Sequence, residues 1–313
     1  MNRGQYILSR LAQMAPVLVG VTVVTFMLIH LIPGDPAETM LGIHARPEAL
    51  TALRHQLGLD HPLWQQYLIY LSNLARLDLG DSLKFKESVA SLLADRLAVS
   101  LFLIAYAAVL TAVVSLPLGI LAAVRKDGPI DQVVRAALMV TMVMPAFWIG
   151  ILFLILFSLR LGLFPISGYG ESVRDHLHHL FLPAMTIALG IAPILVRSLR
   201  GSILEALASD YVRTARAKGL RERMVVFRHV LQNALIAPIT LFGLSIGYLM
   251  GGTVIVENVF SLPGAGQLLV DAIGARDYPV VQSTTLVFAV LVILVNLVTD
   301  LIYSFLDPRV RLG

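Results

Sequence analysis

The chain has 313 residues, of which 57% are hydrophobic and 14% are Asp, Glu, Lys or Arg, about half the charged fraction of a soluble domain. With a mean hydropathy of +0.81 and a pI near 9.5, it has too little polar surface to cover a soluble core of this size, which excludes most soluble enzymes and nucleic-acid binders. The absence of cysteine excludes disulfides, thiolate metal sites and cysteine nucleophiles without assigning a compartment.

A helix needs about 20 apolar residues to cross the hydrocarbon core. Six stretches qualify: 11–32, 98–124, 133–159, 180–196, 235–256 and 284–305. The first follows Arg3 and Arg10. It is longer than the apolar region of a secretory signal and no small-x-small cleavage site follows, so a retained helix is expected. Ile32-Pro33-Gly34-Asp35-Pro36 reads as its stop and a turn.

Residues 33–97 are not low in complexity and are expected to fold. Pro47 as a first-turn residue and Gly58 as a stop predict a short helix over 47–57. Leu63, Tyr67, Tyr70, Leu71, Leu74 and Leu77 recur at helical spacing and predict an amphipathic helix. The region reads either as an external lid or docking surface, or as a helical cap on the ends of the spans. Pro145 predicts a kink inside the third stretch.

His176, His178 and His179 fall in an expected external loop, 162–179. Clustered histidines invite a metal, but no carboxylates at fixed spacing accompany them. Solvated loop residues and no bound metal are expected. The fourth stretch is short and carries Pro183 and Pro193.

Residues 202–218 are expected to be helical, with Gly219 ending the helix at a left-handed or close-contact position. Residues 220–233 then lead as a second helix into the fifth stretch. Tyr211, Thr214, Ala215 and Lys218 share one side of the first helix. The eight basic residues of this segment would serve membrane topology by themselves. Small residues at the turn add the expectation that something fits close against it.

The fifth stretch is rich in Gly243, Ser245, Gly247, Gly251 and Gly252, which let helix backbones approach closely in lipid. After it, Glu257, Pro263, Gly264 and Gly266 are expected in an external loop, where Pro-Gly favours a tight turn. That loop either shapes a pathway mouth or only closes the bundle. Asn296 and Asp300 lie one helical turn apart in the sixth stretch. An intramembrane acid is a functional candidate by default, although near a span end Asp300 would equally suit a basic loop partner. Thr111, Ser115, Gln282, Ser283, Thr284 and Thr285 would line a route or bridge helices.

Lysine and arginine set the orientation. With the N-terminus inside, fifteen of the 24 basic residues fall on the cytoplasmic side, against seven acidic ones. Six spans then return the C-terminus to the cytoplasm.

The segment Asp210-Tyr211-Val212-Arg213-Thr214-Ala215-Arg216-Ala217-Lys218-Gly219 resembles the coupling segment of ABC importer permeases, and with Arg228-His229 and Gln232-Asn233-Ala234-Leu235 it is similar to the peptide/nickel (dipeptide/oligopeptide) branch. Aligned on Gly219, Arg213-Thr214-Ala215 stands where the general motif has Glu-Ala-Ala. At the far end Leu231 keeps the motif's Leu, while His229 and Gln232 stand where it has Ile and Pro. The peptide branch usually shows these departures. The resemblance extends through Pro33-Gly34-Asp35-Pro36, Leu57-Gly58-Leu59-Asp60-His61-Pro62-Leu63, Glu257-Asn258-Val259-Phe260, Pro263-Gly264-Ala265-Gly266, Arg276-Asp277-Tyr278-Pro279 and Asp307-Pro308-Arg309. The long region after the first span matches the permease subunit with the long external loop.

The resemblance implies an all-α polytopic membrane protein of six transmembrane helices, with an external helical insertion and a cytoplasmic coupling helix. The implied division is 1–32, 33–97 and 98–313, with the coupling segment at about 201–233. It implies a bacterial inner-membrane location, a second homologous permease, two ATP-binding subunits that hold ATP and Mg, and an extracytoplasmic solute-binding protein. No Gly-x-x-x-x-Gly-Lys-Ser/Thr phosphate loop is present, so ATP is expected on other polypeptides and this chain is not expected to be an enzyme or to bind a cofactor. Asp210, Arg213, Thr214, Ala215, Arg216, Lys218 and Gly219 become the candidate ATPase contacts. Short peptides are the favoured cargo, with nickel, glutathione, opines and oligosaccharides as alternatives. The rival classes are an ion-coupled secondary transporter, which would need its own ion site, and an intramembrane enzyme, which would need a nucleophile, base or metal set.

Overall fold

The computed structural model describes residues 3–31, 37–38, 46–56, 58–82 and 84–306. The turn expected at 32–36 and the motif at 307–309 lie outside these residues, as does the side chain of Asp300. Among the described residues the chain is helical, with no strand and one isolated bridge between Asp81 and Ser88. The helices are α1 (Arg3–Leu31), α2 (Pro47–Gln56), α3 (Leu63–Ala75), α4 (Val89–Val124), α5 (Pro129–Val143), α6 (Ala146–Arg160), α7 (Val173–Leu207), α8 (Asp210–Ala217), α9 (Glu222–Ala234), α10 (Ile236–Val259), α11 (Ala265–Ala275) and α12 (Tyr278–Leu306).

Three helices are long and apolar enough to cross a membrane alone, in Val89–Val124, Val173–Leu207 and Tyr278–Thr299. Two bent pairs raise the count to five: α5 with α6, at 107°, and α9 with the first half of α10, at 48°. α1 carries a shorter apolar stretch, Ala12–Met27. The chain divides into two compact units, Met1–Ser100 with Pro263–Leu294, and Leu101–Leu262 with Val295–Gly313.

In the first unit, α3 forms where the apolar spacing predicts and lies on α1. Tyr67 and Tyr70 share hydrogen bonds with Thr22 and Thr25, at 2.9 and 3.1 Å. Phe26 meets the edge of the Tyr67 ring at 5.3 Å. Gly58 ends the preceding turn at φ +65°. The loop before α4 is fastened by a buried aspartate. Asp277, between α11 and α12, accepts the Ser82 hydroxyl at 2.5 Å and the Lys84 amide at 3.3 Å. The Ser82 hydroxyl oxygen in turn accepts the Phe85 amide. Beneath this clasp, Val89, Leu92 and Leu93 pack on Leu268, Ala272 and Val280. Ser100 accepts the Ala265 amide at 2.9 Å and so caps the start of α11.

In the second unit α7 is the central helix: 67% of its apolar window is buried, against 39% for α4 and 22% for α12. It is longer than the expected span because a capping box between Ser172 and Asp175 starts it at Val173. This corrects the reading of the histidines, which sit on its first turns and not in a loop. His176 stacks on Tyr169 at 3.7 Å and its Nδ1 engages the Tyr169 carbonyl. The rings of His178 and His179 engage the Leu163 and Asp175 carbonyls. Two of the three rings thus tie the preceding loop to the helix, and no group of three His, Asp or Glu residues among the described ones is placed to hold a metal.

Pro145 does more than kink the third stretch. It disfavours a helical Met144, whose ψ is 128°, so the helix stops and restarts at 107°. Close packing between helices selects glycine at Gly119 and Gly243: a Cβ on Gly119 would meet Leu199 at 2.7 Å, and one on Gly243 would meet Thr299 at 2.3 Å.

Candidate functional site

The α7–α8–α9 hairpin is an exposed charged element built on a buried seat. The single helix expected over 202–218 is broken at Ala208 and Ser209. The Ser209 hydroxyl donates back to the Ala206 carbonyl at 2.5 Å, a local bond that competes with helix continuation. Its ψ of 154° sends the chain off to begin α8.

α8 is two turns long and could not persist alone. It is held by Val212 and Ala215, both buried, which pack on Ala123 of α4, on Leu199 and Ile203 of α7, and on Val225, Val230 and Ala234 of α9. This corrects the role expected for Ala215: its small side chain lets α8 approach its own core, and it is not presented to a partner. The i, i+3 spacing of Val212 and Ala215 inside a polar helix was the available signal.

Gly219 closes the helix at φ +76°. Its amide donates to the Arg216 carbonyl at 2.9 Å, and that of Leu220 to the Ala215 carbonyl at 3.4 Å, the paired bonds of a Schellman end. A Cβ at Gly219 would meet nothing within 4 Å. The left-handed backbone selects glycine here, and lack of space does not. Across the turn, Arg216 donates two hydrogen bonds to Glu222, at 2.6 and 3.1 Å. The same bonds hold the guanidinium above its ordinary pKa. Arg216 therefore braces the hairpin.

The outward face keeps Tyr211, Arg213, Thr214 and Lys218, all exposed, with Asp210 3.5 Å from Arg213. Six basic and two acidic residues fall between Asp210 and Arg228, so the hairpin presents a net positive surface. Beside it lies a hollow of about 720 Å³ walled by Glu205, Ala206, Tyr211, Asn233 and Thr240. Asn233 donates to the Tyr211 hydroxyl at 3.3 Å along its rim. The arrangement suits docking of an acidic protein surface.

The second set of candidates is described residue by residue. Glu257 lies inside α10, fully buried, and not in a loop. No breaker interrupts Val254-Ile255-Val256, so the helix continues to Val259. It ends with the Leu262 amide on the Glu257 carbonyl at 2.9 Å and Ser261 at φ +47°. Pro263, Gly264 and Gly266 fall in the first unit. There Gly264 is the N-cap of α11 and Gly266 is buried within it. Asn296 is exposed on α12.

One group was missed from sequence. Asp131, fully buried, accepts two bonds from Arg200, at 2.6 and 2.8 Å, and the Asp127 amide at 3.0 Å. Arg135 stands 3.5 Å away. The i, i+4 spacing of Asp131 and Arg135 was visible. The long-range partner, 69 positions on, was not.

Comparison with known proteins agrees with this architecture. Residues 115–312 match the family described as the binding-protein-dependent transport system inner membrane component, and residues 4–104 match the N-terminal region of such membrane components. The chain belongs to this transport permease family. It is 42% identical to the di/tripeptide transport system permease of Pseudomonas aeruginosa and 38% identical to the dipeptide transport system permease of Alkalihalophilus pseudofirmus, with 98% of this chain covered and 98% and 99% of theirs. It is 39% identical to the glutathione transport system permease of Escherichia coli, with 98% of both chains covered. Among solved structures, the inward-facing MetNI methionine ABC transporter matches with a TM-score of 0.58 at 18% identity, over 70% of this chain and 97% of the other, a likeness of fold.

Proposed function

We propose that the chain is one of two membrane-spanning subunits of an ATP-driven importer of short peptides in a bacterial inner membrane. In this reading it crosses the membrane six times with both termini in the cytoplasm, and residues 33–97 stand outside. ATP and Mg are held by separate ATPase subunits, and a solute-binding protein delivers the cargo. The short-peptide cargo follows the names of the relatives; the glutathione permease, itself similar over the whole chain, favours a glutathione-like peptide as the second reading.

The observation that carries the mechanism is the seating of α8: Val212 and Ala215 are buried while Arg213, Thr214 and Lys218 are exposed. A helix fixed to α4, α7 and α9 by its apolar side moves with them. An ATPase gripping its polar side would therefore transmit its closure to the bundle as a rigid displacement. The double variant Arg213→Glu/Lys218→Glu tests this. It should assemble poorly with the ATPase subunits or hydrolyse ATP without peptide uptake, while the permease itself unfolds at an unchanged temperature. Unchanged uptake would overturn the role of α8, and uptake driven by an ion gradient without ATP would overturn the class. The ligand retained by the purified binding protein decides between simple peptides and glutathione.

A further inference from the structure

A second basic feature is independent of the coupling surface. Between α5 and α7 lies a cavity of about 240 Å³ in the second unit. Its apolar wall is Val134, Leu138, Met139, Pro193 and Val196, and its polar wall is Arg135, Arg197 and Arg200. The two helices give it a direction. From the Asp131–Arg200 pair, α5 runs past Arg135 to Leu138 and Met139, while α7 leads back from Arg200 and Arg197 to Val196 and Pro193. Both walls therefore grade from arginine to hydrocarbon the same way.

The charge inside is not balanced. Arg200 is committed to Asp131 by two short bonds. Arg135 reaches the same carboxylate only at 3.5 Å and its side chain is half exposed. Arg197, also exposed, has Met142 Sδ, at 3.7 Å, as its one described polar contact. Three arginines face Asp131 and, at longer range, Asp127, and this leaves a net positive site that calls for an anion. Ala122, also on the cavity wall, lies within two residues of the end of the α4 span, and Arg197 and Arg200 follow the apolar part of α7. The arginines thus stand where the spans' hydrocarbon level ends. The flank of the cavity is apolar and open, with Met139 and Val140 more than half exposed.

We propose that this cavity binds an anionic phospholipid, its headgroup phosphate between Arg197 and Arg135 and an acyl chain along Leu138, Met139 and Pro193. A free phosphate shares the headgroup chemistry but leaves the apolar wall without an occupant, so the lipid is the better fit.

The test uses the assembled transporter, purified in detergent and titrated with dioleoylphosphatidylglycerol or dioleoylphosphatidylcholine, with bound lipid counted by native mass spectrometry. Phosphatidylglycerol should be retained preferentially. Arg197→Gln, which leaves the Asp131–Arg200 pair intact, should lower that preference about fivefold, the effect of one basic residue at an anionic surface. Leu138→Trp should expel the lipid by filling the cavity with the charges unchanged, which keeps the test decisive if the arginine variant assembles poorly. Equal retention of the two lipids, or wild-type preference in both variants, would overturn the proposal. Displacement of the lipid by millimolar inorganic phosphate would reassign the site to a simple anion. Crosslinking of an Arg197→Cys thiol to another subunit would give it to a protein partner.

Discussion

Two short segments, each fastened to the ends of longer helices, solve the same problem with opposite polarity. The α8–α9 hairpin is held by apolar residues, Val212 and Ala215, and turns its charges outward. The loop before α4 is held by a charged residue, Asp277, which is turned inward and 2% exposed. In the first, the polar groups stay at the surface where a partner can read them, although Arg216 and Glu222 brace each other, Asp210 stands 3.5 Å from Arg213 and the Tyr211 hydroxyl accepts from Asn233. In the second, the polar group is consumed in fixing the fold, though its Oδ1 has no hydrogen-bond partner among the described residues. The direction in which a segment's charges face, more than their number, separates a docking surface from a clasp.

The comparison can be broken from either side. The largest effect is expected from Val212→Asp, which places an unpaired charge in the hairpin's seat at a cost of about 3–5 kcal/mol. Recovery of the assembled complex should collapse, and thermal unfolding of the permease should move down sharply. Asp277→Ala comes next. It strands the Ser82 hydroxyl and the Lys84 amide, a loss of about 1–3 kcal/mol, and should raise proteolysis within 78–88 without touching ATP coupling. Gly219→Ala follows, costing about 1–2 kcal/mol for a left-handed alanine with no steric clash. Its mark should be a modest fall in unfolding temperature with coupling retained. The smallest stability effect belongs to Arg213→Ala, below about 0.5 kcal/mol for an exposed pair, yet this variant should weaken ATPase docking. A variant series in which stability and coupling fell together would erase the distinction between seat and surface.

Much of this organisation is legible in sequence because hydropathy and backbone chemistry are local. The spacing of Leu63, Tyr67 and Tyr70 and the glycine stops at Gly58 and Gly219 are read directly from neighbouring residues, and the structure places both glycines at positive φ. Pro145 announces an interruption, but the 107° angle depends on what Met144 and the following helix pack against. The inward turn of Ala215 was misread because Tyr211, Thr214 and Lys218 share its arc. Which edge of that arc is buried is decided by Ile203 and Val225, supplied from other helices. The histidines illustrate a different error. They were expected in a solvated loop, whereas a capping box four residues earlier places them on the first turns of a helix. The Asp131–Arg200 pair joins residues whose separation no local rule bridges.

The most direct test of the account is crosslinking from single cysteines in the assembled complex. Thr214→Cys, on the outward face of α8, should crosslink to an ATP-binding subunit, with a yield that changes when ATP is bound. Ala215→Cys, one residue on but buried, and Glu87→Cys, exposed on the clasped loop, should not. A Thr214→Cys thiol that captures no ATP-binding subunit, or one no more effective than Glu87→Cys, would contradict the assignment of α8 as the coupling surface.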